Sequence, residues 1–280
     1  MNCWLLQTVA DREKDDSYRH SALEVMVSLC ENAAGMVKKK AAQFIPPLLE
    51  QCLSLMTELD DNTEEWLNCD NADDENGEDL MTELDDNTEE WLNCDNADDE
   101  NGEDSAGIGE SSLDRIACSL GGFVLDPFLP TVLRLMQDVS NWKNRYAAIM
   151  AISTIGEGCK RQMEPIIVKI VNDILRYLVD PHPRVRYAAC NALGQISTDF
   201  APTMQKKCHE KVVNGLCGLM IDLRCPRVAA HAGAALVNFS EDCPKSIITI
   251  YLQQMMENLE FVLEHTFKQV FFLLAFGLVQ

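Results

Sequence analysis

The sequence predicts an all-α fold, an α-solenoid of antiparallel helix pairs stacked as a right-handed superhelix, with one long acidic disordered loop. Three observations carry that prediction. The first is a repeated small-residue helix pattern: Asn144–Ile155, Pro183–Ser197 and Val228–Phe239. Aligned on Ala151-Ile152, Ala192-Leu193 and Ala235-Leu236, they give periods of 41 and 43 residues. The second is Asp138, Asp180 and Asp222, which recur 42 residues apart just ahead of those helices. A self-similar helical unit of about 40–47 residues is the signature of HEAT or armadillo repeats. One such unit cannot bury its own apolar face, so neighbours must stack. The third is a charge discontinuity. Residues 55–104 hold 22 of the 45 acidic side chains and no Lys or Arg, so the remainder balances at 23 of each sign and the net charge of −22 sits in one segment. That distribution argues against a general nucleic-acid binder and for a localised anionic element that meets a basic partner.

Taken in order, residues 1–16 read as a partial helix and turn, and 17–56 as repeat helices. Tyr18–Val37 carries an apolar stripe of Leu23, Met26, Leu29, Ala33 and Met36, with Lys38-Lys39-Lys40 as the turn after it. Phe44–Met56 is the next helix; Pro46 and Pro47 fit only in its first turn, where amides have no intrahelical partner. Residues 57–110 are the acidic insertion within a repeat. Leu55–Asp79 is repeated letter for letter as Leu80–Asp104, a recent duplication or a sequence-assembly error. Dense like charge with Asn, Asp and Gly cannot form a packed core, and Trp66 and Trp91 are its only large apolar anchors. Counting back from Gly77 puts Ala72 where a calcium loop needs its first carboxylate, so a calcium site is disfavoured.

Residues 111–263 resume the array. Ser111-Ser112-Leu113-Asp114 reads as a cap opening a helix that ends at Gly121-Gly122 and pairs with Phe44–Met56. Leu125–Gln137 pairs with Trp142–Ile155, Glu164–Val179 with Pro183–Ser197, and Met204–Ile221 with Pro226–Phe239. Asp180-Pro181-His182-Pro183 is a turn, because prolines break the preceding helix. Lys245–Leu263 is a first helix, and 264–280 an atypical tail. Neither end shows a polar capping repeat, so the expectation is a central piece of a longer array.

No catalytic, cofactor or metal constellation assembles. His20, His182, His209, His231 and His265 fall in different repeats, and no G-x-S-x-G turn or phosphate loop is present. The twelve cysteines lack paired C-x-x-C spacing, and Cys30, Cys52, Cys118, Cys190 and Cys217 fall at apolar helical positions, as buried free thiols would. No apolar run approaches the ~20 residues that span a bilayer.

Two constellations could bind. One is the acidic loop: Asp60, Asp61, Glu64, Glu65, Asp70, Asp73, Asp74, Glu75, Glu78 and Asp79, repeated as Asp85, Asp86, Glu89, Glu90, Asp95, Asp98, Asp99, Glu100, Glu103 and Asp104. Many carboxylates together steer a basic partner; a solubilising spacer is the alternative. The other is the end of each small-residue helix, where Glu157, Asp199 and Asp242 recur at 42 and 43 residues, with Asn191, Gln195 and Asn238 one or two turns earlier. In a stack these form a ladder on which a lysine-rich peptide could lie; ordinary helix-end solvation is the alternative. Arg145, Arg184, Arg186 and Arg227 are expected to pair with Asp138, Asp180 and Asp222 in a structural ladder.

The stretches PHPRVRYAACNALGQISTDFAP, SSLDRIACSLGG, NWKNRYAAIMAISTIGEGC and NFSEDCPKS resemble the importin-beta (karyopherin) family of nuclear transport receptors, in its importin-5 and Ran-binding protein 6 branch. The likeness runs from about Ser21 to Leu263. It implies HEAT repeats that bind basic cargo, such as ribosomal proteins and histones, on the inner face and release it to Ran-GTP. It further implies nucleoporin contacts, shuttling between cytoplasm and nucleus, no membrane association and no direct nucleic-acid binding. In that family an acidic loop in one mid-array repeat contacts Ran and cargo, and the tract at 57–104 stands at the matching place. The ladder of Glu157, Asp199 and Asp242 would face cargo. The family's amino-terminal repeats and carboxy-terminal half have no counterpart here, and the loop is doubled. A non-transport HEAT scaffold, or the product of a truncated gene copy, is the competing reading.

Overall fold

The computed structural model describes residues 4–63, 66 and 104–277, with side chains up to Thr266. Every regular element among them is helical. In chain order these are α1 (Trp4–Ala10), α2 (Asp16–Asn32), α3 (Ala34–Lys40), α4 (Ile45–Leu55), α5 (Ser105–Leu120), α6 (Leu125–Met136) and α7 (Trp142–Thr154). They continue as α8 (Lys160–Met163), α9 (Ile167–Ile174), α10 (Pro183–Asp199), α11 (Thr203–Met220), α12 (Pro226–Glu241) and α13 (Lys245–Gly277).

The helices form two rows. One, here the A row, runs α1, α4, α6, α9, α11, α13; the other, the B row, runs α2, α5, α7, α10, α12. Within a repeat A packs on B, as α4 on α5, α6 on α7 and α11 on α12, and the B helices lie side by side. Small residues make that side-by-side contact close. Ala147, Ala148 and Ala151 of α7, Ala188, Ala189 and Ala192 of α10, and Ala232 of α12 are fully buried. Between the rows lie Phe128, Phe200 and Phe239, also fully buried, in one continuous core.

Glycines set the closest approaches. A β-carbon on Gly158 would collide with the backbone of Ala117 and Cys118, and one on Gly156 with the Asp199 carboxylate. Gly121 ends α5 with φ of 58°, a left-handed conformation that costs glycine least.

Several expected boundaries move. Lys38-Lys39-Lys40 is the last turn of α3, not a turn between helices. The chain breaks earlier, at Ala33 (φ −138°, ψ 34°). The break re-aims the segment, so Leu29 and Met36 are exposed and the buried stripe is Ala22, Leu23, Met26, Val27 and Cys30. Helix α5 opens at Ser105 rather than at Ser111; its cap is Asp104, whose carboxylate accepts from the Ala106 amide at 2.8 Å. The expected Glu164–Val179 helix is broken: α9 is flanked by 3₁₀ turns at Glu164–Ile166 and Leu175–Val179. The interruption at the start falls at Ile166 (φ −109°, ψ 6°). Helix α13 runs through Glu264 without a break at the expected start of a tail. Cys118 is exposed, whereas Cys30, Cys52, Cys190 and Cys217 are buried thiols as expected.

Candidate functional site

The B row has two chemically opposite edges, one at the helix N-termini and one at the C-termini. The repeat places them: each B helix starts after an Asp-anchored turn and ends one period from the next.

At the N-terminal edge, arginines two residues apart on a helix point roughly 200° apart and so do different work. Arg145 of α7 and Arg186 of α10 turn toward the corners that open their own helix and the next one in the row. Arg145 makes a buried two-pronged pair with Asp180, at 2.8 and 3.0 Å. It also donates to the Asp138 carbonyl at 2.8 Å. Arg186 donates to the Asp180 carbonyl at 2.8 Å and to Cys225 Sγ at 3.0 Å. Asp138 accepts from Ser140, Asn141 and Asn144. Those bonds, led by the Ser140 hydroxyl and the Asn144 amide, hold its carboxyl down at about 2. Asp222 pairs with Arg224 in its own turn.

Lys143, Arg184 and Arg227 turn the other way and grip the start of the acidic insertion, Arg184 and Arg227 from the wall of a groove of about 1000 Å³ along the B row. Lys143 Nζ donates to the Leu59 carbonyl at 2.6 Å and pairs with Asp61 at 2.8 Å. Arg184 pairs with Asp60 at 2.9 Å. Arg227 donates to the Trp66 carbonyl at 3.1 Å. Burial pushes the Asp60 carboxyl up, but Arg184 and the Asn62 amide outweigh it and hold it below its usual range. The Trp66 indole lies against both guanidiniums, at 5.4 Å from Arg184 and 4.8 Å from Arg227. It also meets Tyr187 edge-on at 5.5 Å. His182 stacks on Trp142 at 3.9 Å and contacts Thr63 at 3.2 Å. Desolvation, and then the Arg184 charge, lower its imidazole to about 4, so it is neutral at pH 7. At the root of the insertion, Glu58 takes a two-pronged bond from the buried Arg19 at 2.9 and 2.6 Å.

The expected Asp–Arg ladder is therefore only half present. Arg145 pairs with Asp180, but Arg184 and Arg227 serve the insertion, Arg186 uses carbonyls and a thiol, and Asp138 and Asp222 take other partners.

At the C-terminal edge the carboxylates gather. Asp199 closes α10, and its Oδ1 accepts from Gln195 at 3.2 Å, while its Oδ2 is buried without a hydrogen-bond donor. Burial raises the Asp199 carboxyl to about 6, and the charges of Glu157 and Asp114 add to the rise. Cys118, next to this patch, is pushed up to about 11 by burial and then by Asp114 and Glu157. Glu157 is exposed, and Asp242 holds the matching exposed position after α12. Asn191 and Asn238 line the central groove, where Asn191 Oδ1 contacts His231 Nε2 at 3.1 Å. Glu110 lies deep in the same groove, its carboxyl raised by burial and held by the Thr154 hydroxyl at 3.0 Å.

Of the expected loop residues, Asp60 and Asp61 sit on the basic edge and Asp104 caps α5. Glu64, Glu65, Asp70, Asp73, Asp74, Glu75, Glu78, Asp79, Asp85, Asp86, Glu89, Glu90, Asp95, Asp98, Asp99, Glu100 and Glu103 lie outside the described residues. Sequence reasoning missed Asp114, although it stands 43 residues before Glu157 and so on the ladder's own period. It also missed Lys143, which precedes Arg184 by 41 residues as Arg227 follows it by 43. Among the described residues no group of three or more His, Cys, Asp or Glu could hold a metal, and no helix is long and apolar enough to cross a membrane.

Two rows of helices in repeats of about 42 residues, with an acidic insertion clasped to one edge, define a HEAT-type α-solenoid. Comparison with known proteins agrees. An importin-repeat model matches residues 11–80 and 78–127, and a HEAT-like repeat model matches 142–196. Importin subunit beta-3 of Saccharomyces cerevisiae is 35% identical over 259 residues, which is 91% of this chain and 21% of that protein. The crystal structure of Kap121p bound to Pho4p superposes with a TM-score of 0.76 at 31% identity, covering 93% of this chain and 23% of that one. Kap121p bound to RanGTP superposes at 0.75 and 32%, over 91% and 23%. The chain belongs to the importin-beta (karyopherin) family, and it spans about a fifth of the length of these relatives.

Proposed function

We propose that the chain supplies part of the cargo and Ran surface of an importin-5-like nuclear transport receptor. On this reading it binds lysine- and arginine-rich cargo, such as ribosomal proteins and histones, engages Ran in its GTP form and shuttles between cytoplasm and nucleus. The observation that carries the reading is the C-terminal edge of the B row. Burial first, and then the charges of Glu157 and Asp114, make Asp199 costly to ionise, and no basic side chain of the described residues forms an ion pair with any of the three. A lysine-rich peptide would relieve that repulsion. The relatives support it too, since Kap121p has been solved with both Pho4p and RanGTP.

The test is binding of a lysine-rich import-signal peptide and of Ran loaded with GTP or GDP. The wild-type chain should hold the peptide, and Glu157→Gln/Asp199→Asn/Asp242→Asn should weaken it about 3- to 150-fold, at ~0.2–1 kcal/mol per lost contact. Equal affinity of wild type and triple variant, or no preference for either nucleotide form of Ran, would remove the reading.

A further inference from the structure

The basic edge holds a peptide already. Within the segment Leu-Asp-Asp-Asn-Thr-Glu-Glu-Trp (59–66), Leu59, Asp60, Asp61 and Trp66 meet side chains of three B helices, which grip them in a graded way. Lys143 and Arg227 read backbone carbonyls at the two ends, of Leu59 and Trp66. Lys143 and Arg184 read the carboxylates of Asp61 and Asp60. The Trp66 indole fills the space between two guanidiniums and the edge of Tyr187. Arg184 is in turn braced over Trp142, at 5.5 Å, which itself stacks on His182. Tyr187 is braced by stacking on His231 at 4.0 Å. Lys143, Arg184 and Tyr187 are thus each set against a second ring belonging to the helix array and not to the peptide.

Arg184 and Arg227 are each the second residue of their helices, after Pro183 and Pro226. Cations there oppose the positive end of the helix dipole, so they do not stabilise α10 or α12. An anionic occupant compensates them. The two carboxylates supply charge, and the indole supplies a π face for which flat guanidinium groups are suited.

We propose that this strip of Lys143, Arg184, Arg227, Trp142 and Tyr187 is a binding site for acidic, tryptophan-bearing extended peptides, with residues 59–66 as its resident ligand. A partner carrying such a segment enters by displacing them. The site is opposite in charge preference to the carboxylate edge and stands independently of the transport reading, because neither Ran nor basic cargo takes part in its test.

The probe is a fluorescein-labelled peptide of residues 59–66, followed by anisotropy. Because Leu84–Trp91 repeats Leu59–Trp66 letter for letter, both copies are disabled together in the receptor, as Asp60→Ala/Asp61→Ala/Trp66→Ala with Asp85→Ala/Asp86→Ala/Trp91→Ala. This variant should bind the peptide at least about tenfold more tightly than the wild-type chain, whose tethered copy competes at high effective concentration. Adding Arg184→Ala or Arg227→Ala should abolish the gain. A peptide with its tryptophan changed to alanine should bind at least about tenfold more weakly. Arg184→Lys/Arg227→Lys keeps the charge and the fold but loses the planar stacking, and should weaken the tryptophan peptide while leaving the alanine peptide unchanged. Equal binding by wild type and the disabled variant, or indifference to the arginines or to the indole, would overturn the proposal. Far-ultraviolet circular dichroism of each variant separates loss of the site from loss of the array.

Discussion

The two edges of the B row are built from the same repeat, yet they differ in what they do with charge. At the N-terminal edge the cations find partners within the chain, in Asp180, in corner carbonyls and in the start of the insertion, although the buried Nε of Arg184 and of Arg186 donates to none of them. At the C-terminal edge the carboxylates lie near one another, and one of them, Asp199, has its pKa raised by burial first and then by Glu157 and Asp114, with Lys160 only partly offsetting the rise. Both edges run against the helix dipole, which favours anions at N-termini and cations at C-termini. Charges placed where they weaken their own helices are there for something other than helix stability. The difference between the edges teaches where that something enters. The basic edge is filled from within, and the acidic edge faces outward unfilled by any lysine or arginine pairing among the described residues.

The largest expected effect comes from removing the pair that fixes the basic edge. Arg145→Ala leaves Asp180 buried and ionised without its partner, and such losses cost about 3–5 kcal/mol. Urea unfolding should show that drop, whereas Lys143→Ala, on the exposed side of the same helix end, should cost less than about 1 kcal/mol. If the two variants were equally mild, the division of labour between the two sets of cations would not hold.

Next comes Asp199. Its folded pKa of about 6 lies above the ordinary aspartate value near 3.9. The folded state therefore binds more protons than the unfolded state between about pH 4 and 6. Stability should fall as pH rises through that window and stay reduced at pH 7. Asp199→Asn should raise stability at pH 7 by on the order of 1 kcal/mol, after allowing for screening by solvent, and should flatten the pH dependence in thermal melts. The same substitution should weaken lysine-rich peptide binding, so stability and binding move in opposite directions. Parallel movement would mean that Asp199 is a structural residue only.

The smallest effect is expected at Arg115, which reaches from α5 to Glu24 at 2.7 Å and Glu31 at 2.8 Å on α2. The pair is partly exposed on the surface between B helices. Arg115→Ala should cost no more than about 1 kcal/mol in the same urea titration, and less in high salt. A larger loss would show that surface pairing, and not alanine packing, holds the B row together.

Much of this was legible in the amino-acid sequence, and for a plain reason. The solenoid repeats one packing problem, so a 41–43-residue recurrence of Ala-Ile, Ala-Leu and Ala-Leu locates the B helices directly. The carboxylate positions Glu157, Asp199 and Asp242 came with the same recurrence. What period alone does not give is helix rotation. Arg184 and Arg186 share a repeat position to within two residues, yet they face opposite ways, so their expected common pairing with aspartates held only for Arg145. Asp114 was on the ladder's period but reads locally as a capping residue, and the local pattern obscured the long one. Helix α9 defeated prediction because a 3₁₀ turn keeps much the same apolar spacing as an α-helix, so the turns at Glu164–Ile166 and Leu175–Val179 leave no mark on the pattern. The break after Asn32 falls at an alanine, with only Gly35 two residues on to announce it.

Gly158 carries a last consequence. Its bare α-carbon lets the chain leaving α7 lie directly on the main chain of α5, at Ala117 and Cys118, and the neighbouring residue is Glu157. A methyl group there would act as a wedge at the joint between two tiers, prising them apart where no side chain can swing aside. How far Glu157 stands from the tier before it is thus measured out by a missing atom.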